Sequence, residues 1–118
     1  KFLVDMYSLK FAERGFTVET ALSGEEALNK LSAGFRPAIC LIDIIMPEMD
    51  GFKLIETMRA RGLAAGVALI ILTNLGQKED IEKALALGVD GYIIKASATP
   101  TEMVNKVVDI TEHKKKQS

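Results

Sequence analysis

Residues 38–51 read AICLIDIIMPEMDG, and this stretch decides the fold. Five apolar residues, Ala38 to Ile42, run without a polar interruption and stop at the carboxylate of Asp43. A short unbroken apolar run of this kind predicts a strand covered on both faces. Pro47 and Gly51 then mark the loop that leaves it. Strands buried on both faces belong to parallel sheets, and parallel neighbours are joined by helical crossovers. The rest of the chain supplies such crossovers.

Toward the C-terminus, Phe52, Ile55 and Met58 recur at helical spacing in a helix that closes near Gly62. A second apolar run, Val67 to Leu72, ends at Thr73. Lys78 to Leu87 reads as a helix stopped by Gly88, and the short strand Tyr92-Ile93-Ile94 ends at Lys95. Thr99, Pro100 and Glu102 open the last helix as N-cap, first-turn proline and capping-box partner. Its apolar stripe is Met103, Val104, Val107 and Ile110. Toward the N-terminus, Ser23 with Glu26 forms another capping box, opening a helix through Ala27, Leu28 and Leu31 that ends at Gly34. Phe16 to Thr20 alternates as a strand. The first helix places Phe2, Leu3, Met6, Leu9 and Ala12 on its apolar face, with Lys1, Asp5 and Ser8 turned away and Gly15 as its stop. The expectation is one α/β domain over residues 1–118: a doubly wound parallel sheet with helices on both faces.

Bulk composition narrows the function. The chain has 118 residues, 48% hydrophobic and 26% charged, which suits a single globular domain and argues against disorder. A net charge of −1 gives no electrostatic case for nucleic acid or an anionic membrane surface. No apolar run approaches bilayer length and the first residues lack a signal pattern, so a cytoplasmic location is expected. The one cysteine, Cys40, lies within an apolar strand and reads as a small packing residue, leaving no disulfide or zinc site. The one histidine, His113, lies near the tail, which excludes His-based triads and His-rich metal sites. Lys114 to Lys116 reads as a solvated helix end favoured by the macrodipole.

Three successive strands end in Asp43, Thr73 and Lys95. In doubly wound sheets, ligands bind outside the carboxyl ends of the strands, and neighbouring strands lie ~5 Å apart, so the three side chains converge on one pocket. Taken singly, Asp43 reads as a turn cap, Thr73 as the start of a loop, Lys95 as a solvated charge and Tyr92 as core. Taken together they form a coherent set. An aspartate is a nucleophile toward phosphorus, and an ammonium and a hydroxyl neutralise and hydrogen-bond the product. Phosphoryl transfer generally also uses Mg²⁺, held by one or two carboxylates and substrate oxygens.

The segment Asp43-x-x-Met46-Pro47-x-Met49-Asp50-Gly51, followed in register by Thr73 and by Gly91-Tyr92-Ile93-Ile94-Lys95, resembles the receiver domain of two-component response regulators. The resemblance implies a flavodoxin-like sheet and a phosphorylation-dependent switch rather than an enzyme with an external substrate. It implies that Asp43 accepts a phosphoryl group from a histidine kinase or phosphotransfer protein, that Thr73 binds and reports that group, and that Lys95 pairs with it. Tyr92 would be the aromatic that swings inward on activation. Asp43 and the backbone carbonyl of Ile45 would be ligands for Mg²⁺. The reader of the switch would be an effector protein or output domain, with a homodimer a further option.

The chain departs from the family pattern in three places. Receiver domains open on an apolar strand ending in an acidic pair, whereas this chain opens in the following helix. That strand would lie between Phe16–Thr20 and the strand at Ile39, so the expectation is an N-terminally truncated receiver, or one whose strand another chain supplies by β-augmentation. Mg²⁺ binding would be weakened accordingly. Ala96 stands where the family often has proline after the lysine. Ile45 and Leu75 stand where polar side chains influence hydrolysis of the acyl phosphate, and neither can hydrogen-bond an attacking water. The alternative of another class is a pseudo-receiver, a protein-interaction module that does not use phosphorylation. Haloacid-dehalogenase-like phosphatase chemistry needs a second aspartate where Ile45 stands, and no Gly-x-Gly-x-x-Gly or Walker sequence occurs.

Overall fold

The apolar runs assemble in sequence order. In the computed structural model, β1 (Ile39–Asp43) pairs with β2 (Ala68–Thr73), and β2 with β3 (Gly91–Ile94), both in parallel. The structure describes residues 2–21, 23–35, 37–44, 50–73, 78–95 and 99–117, with side chains from residue 7 to residue 113. Among them the sheet has three strands in the order β1-β2-β3. β2 is central and buried along its whole length, which is why its sequence shows no polar alternation.

Five helices cover this sheet: α1 (Phe2–Glu13), α2 (Gly24–Ser32), α3 (Gly51–Ala60), α4 (Lys78–Ala86) and α5 (Pro100–Gln117). The period-two geometry of strands divides the core. Leu69 and Ile71 of β2 face Leu28, Leu31, Ile55 and Met58 on α2 and α3, and Ala84 on α4. Ile70 and Leu72 face the other way, against Phe11 of α1 and Met103, Val104 and Val107 of α5. Helices on both faces of a parallel sheet match the doubly wound expectation.

The helix starts follow their capping chemistry. Ser23 Oγ accepts the Glu26 amide at 3.1 Å, and Thr99 Oγ1 accepts the Glu102 amide at 3.1 Å while Glu102 Oε1 accepts the Thr99 amide at 3.0 Å. Those backbone and hydroxyl donors hold the Glu102 carboxyl below its ordinary range. The helix stops use glycine at positive φ where expected, at Gly15 and Gly34.

Two expectations fail. Residues 16–20 form no strand. A strand exists only through its ladder, and no described strand pairs with them: Phe16 is held instead by its ring, edge-on to Phe11 at 5.5 Å, and Lys30 Nζ takes the Thr20 carbonyl. The inward face of α1 is also different. Leu9 and Ala12 are exposed, while Phe11 is buried and Tyr7 and Ser8 are half-buried. Tyr7 and Phe11, four residues apart, lie on one helix face, and together with Phe16 they bury more apolar surface than Leu9 and Ala12 could. The side chains of Phe2, Leu3, Asp5 and Met6 lie outside the described part.

Candidate functional site

β1 delivers Asp43 to the carboxyl end of the sheet, in register with Leu72. Thr73 is one step further along β2 and in register with Ile94 of β3. Lys95 follows Ile94 directly. Parallel strands ~4.8 Å apart therefore bring a carboxylate, a hydroxyl and an ammonium to one rim. The structure joins two of them: Lys95 Nζ donates to Asp43 Oδ2. Lys95 is 19% and Asp43 34% exposed, so the pair is partly open to solvent. Thr73 is 4% exposed, a buried polar residue at the end of an otherwise apolar strand. Thus the Asp43 carboxylate is reachable from solvent, while Thr73 is buried at the end of β2.

Tyr92 sits in register with Ile71 and is 39% exposed, so its ring lies outward on β3. Leu85 on α4 is likewise exposed, and α4 packs beside β3. This leaves an aromatic side chain on β3 and an aliphatic one on α4 exposed.

Two supporting residues, Asp50 and Gly51, have roles that the sequence reading did not assign. Asp50 is the N-cap of α3, its Oδ1 accepting the Lys53 amide at 2.8 Å. Gly51 comes so near β1 that a Cβ there would stand 2.5 Å from the Asp43 carbonyl oxygen, and its amide donates to the Ile44 carbonyl at 2.9 Å. Only a residue without a side chain permits that approach, and it fixes the start of α3 against the end of β1. The Asp50-Gly51 part of the motif is thus partly a packing device. An Asp–Gly pair after a loop was the available signal, since Asp is a strong N-cap.

Among the described residues, the side chains at this rim do not by themselves make a site for a resident divalent cation. Among the described residues no three His, Cys, Asp or Glu side chains gather into a metal-binding group. At this rim Asp43 is engaged by an ammonium, and Asp50 is turned to its cap. Mg²⁺ held by protein carboxylates wants near-octahedral oxygen ligands. Ile45, Leu75 and Ala96 lie outside the described residues, so the carbonyl ligand expected at Ile45 does too.

Cys40, on β1, is half-buried, and burial pushes its thiol from 9.0 up to about 11. It behaves as a packing residue rather than a nucleophile. No described helix is long and apolar enough to cross a membrane.

Comparison with known proteins agrees with this geometry. Residues 2–108 match the family model of the response regulator receiver domain. The response regulator SaeR of Staphylococcus aureus strain USA300 is 33% identical over 114 residues, which is 97% of this chain and 48% of SaeR. The chain therefore spans about half the length of the curated relatives it matches. Among solved structures, the chemotaxis response regulator CheY4 of Vibrio cholerae superposes with a TM-score of 0.80 at 26% identity, covering 90% of this chain and 87% of that one. A CheY-like receiver domain protein from Methanospirillum hungatei gives a TM-score of 0.83 at 28% identity, covering 98% and 90%.

Proposed function

This chain belongs to the response regulator receiver domain family, and we propose that within it Asp43 is the phosphoryl acceptor. The observation that supports this reading is the Asp43–Lys95 ion pair at the strand ends, beside a buried threonine hydroxyl. A carboxylate oxygen of Asp43 attacks the phosphorus of a phosphohistidine on a kinase or phosphotransfer protein. The new O–P bond forms as the P–N bond breaks, and the imidazole leaves with the electron pair and takes up a proton. Lys95 then neutralises the added charge, and the Thr73 hydroxyl donates to a phosphoryl oxygen. Receiver domains generally bind Mg²⁺ at an acidic pocket. Among the described residues Asp43 would be its side-chain ligand, and Lys95 supplies neutralising charge from the protein itself.

The signal is a local change of charge read as a shift between two arrangements. Thr73 reports the phosphoryl group and Tyr92, outward in this structure, turns inward. The face altered is the one built by α4, β3 and α5, where an effector protein or output domain docks, or a second copy of the domain. The test is incubation with a small phosphodonor and Mg²⁺, followed by intact mass. The expected result is a gain of one phosphoryl group, lost in Asp43→Asn.

The pseudo-receiver is favoured by one observation: among the described residues no group of acidic side chains that could hold a metal accompanies Asp43. On that reading the same incubation leaves the mass unchanged.

A further inference from the structure

α2 and α4 are both nine residues long, yet α2 buries Leu28 and Leu31 whereas the one buried residue of α4 is Ala84. Ile81 of α4 is half-buried and Leu85 is exposed. A methyl group removes far less apolar surface from water than two leucine side chains do. Apolar packing therefore holds α4 weakly, and two polar contacts with α3 supplement it.

The first joins Lys83 of α4 to Phe52 of α3. The Lys83 ammonium lies over the Phe52 ring, 4.8 Å from its centroid, and that ring is 5% exposed. Lysine suits the position, because its stem can rest on an apolar surface while its charge stays in water. The second joins Arg59, in the last turn of α3, to Gly88 just past the end of α4. Arg59 Nη2 donates to the Gly88 carbonyl at 3.0 Å, and a Cβ at Gly88 would stand 3.4 Å from that nitrogen. Phe52 and Arg59 are about two turns apart on α3, so α3 grips the C-terminal part of α4 at two points. Lys83 and Arg59 are both exposed, so breaking either contact strands no buried charge. Contacts of this kind open at small cost, and they leave the sheet intact.

We propose that α4 is a latched helix: it lifts from the domain as a unit while the sheet stays folded, and the Lys83–Phe52 and Arg59–Gly88 contacts set how often. The charge on one exposed amine then controls the attachment of one helix and of no other element. Segments with few buried apolar contacts are the ones that open locally, and α4 has that character. This inference stands apart from the phosphoacceptor reading and does not use Asp43 chemistry.

The experiment is amide hydrogen exchange at low urea on the 118-residue chain, comparing the α4 amides of Glu82 to Leu87 with the β2 amides of Ile70 and Ile71. The α4 amides exchange faster than those of β2, and their rates respond less to urea, because little surface is exposed when one helix opens. Lys83→Met keeps the stem and removes the charge; it speeds exchange in α4 by roughly two- to fivefold and leaves β2 unchanged. Lys83→Arg, which keeps a cation over the ring, leaves both unchanged. Arg59→Met also speeds exchange in α4 alone. In a Phe52→Leu background, Lys83→Met has no further effect on α4, since the ring it answered to is gone. The proposal is overturned if α4 and β2 share one protection and one urea dependence, or if Lys83→Met or Arg59→Met leaves α4 unchanged or speeds β2 equally. It is also overturned if Lys83→Arg acts as Lys83→Met does, or if the effect of Lys83→Met persists in Phe52→Leu. Should Phe52→Leu not fold, the Cε protons of Lys83 in the parent decide: a ring-current shift upfield, lost on mild unfolding, supports the latch, and an ordinary lysine shift overturns it.

Discussion

Asp43 is both a strand terminus and half of an ion pair, and these two roles separate experimentally. A pair with one partner a third exposed contributes on the order of 1 kcal/mol or less. Lys95→Met is therefore expected to leave the melting temperature within a few degrees of the parent while slowing phosphoryl uptake by at least ~100-fold, because neutralisation of developing charge is what the ammonium supplies. Calorimetry beside a phosphodonor time course checks both parts. At the neighbouring positions, Ile45→Asn is expected to shorten the lifetime of the acyl phosphate by giving water a hydrogen-bonding partner, seen as faster loss of the phosphoryl mass. Cys40 gives a pH dependence of defined sign. Between pH 9.0 and about 11 the unfolded chain loses the thiol proton that the folded chain keeps. The unfolded state binds fewer protons there, so stability falls as pH rises through that window, by roughly 2–3 kcal/mol in all. Urea midpoints at pH 8 and pH 10 should differ less in Cys40→Ala than in the parent.

Helices and strands were legible in proportion to how local their causes are. The Thr99–Glu102 and Ser23–Glu26 boxes are read from residues three apart, and both form. Thr99→Ala is accordingly expected to cost about 1 kcal/mol, measured by urea unfolding. The ends of β1, β2 and β3 were equally plain, because an apolar run stopping at a polar residue is written in sequence. Residues 16–20 alternate like a strand, yet pairing is a property of two segments, and alternation in one cannot supply the other. The α1 face was misread for a related reason. Periodicity marks Leu9 and Ala12 as well as Tyr7 and Phe11, and only the position of Phe16 and α5 selects between the two rows. Gly51 shows the same limit at the site, since its need comes from a carbonyl eight residues earlier. Gly51→Ala is expected to destabilise by ~1–3 kcal/mol through overcrowding and to shift the amide resonances of β1's last residues.

For the molecule as a whole, the division into two cores across one sheet governs stability. Ile55 on α3 and Val107 on α5 are fully buried on opposite faces. Ile55→Ala is expected to cost 2–5 kcal/mol, taking an appreciable part of the ~5–15 kcal/mol typical of a domain, with a lower melting temperature as the readout. Mg²⁺ is expected to raise the melting temperature little, because the described residues bring one carboxylate to the rim and that one is already engaged by an ammonium. The meeting of Asp43 and Lys95 was legible from strand ends; the exposure of Tyr92 was not, because exposure depends on what packs alongside. The single thiol also makes the molecule its own stopwatch. At pH 8 a thiol titrating near 11 is ionised in about one molecule per thousand. An alkylating reagent therefore captures Cys40 slowly, and each captured molecule gains one fixed mass. Counting that gain against time reports how readily the half-buried thiol on β1 is reached, with no label added beforehand.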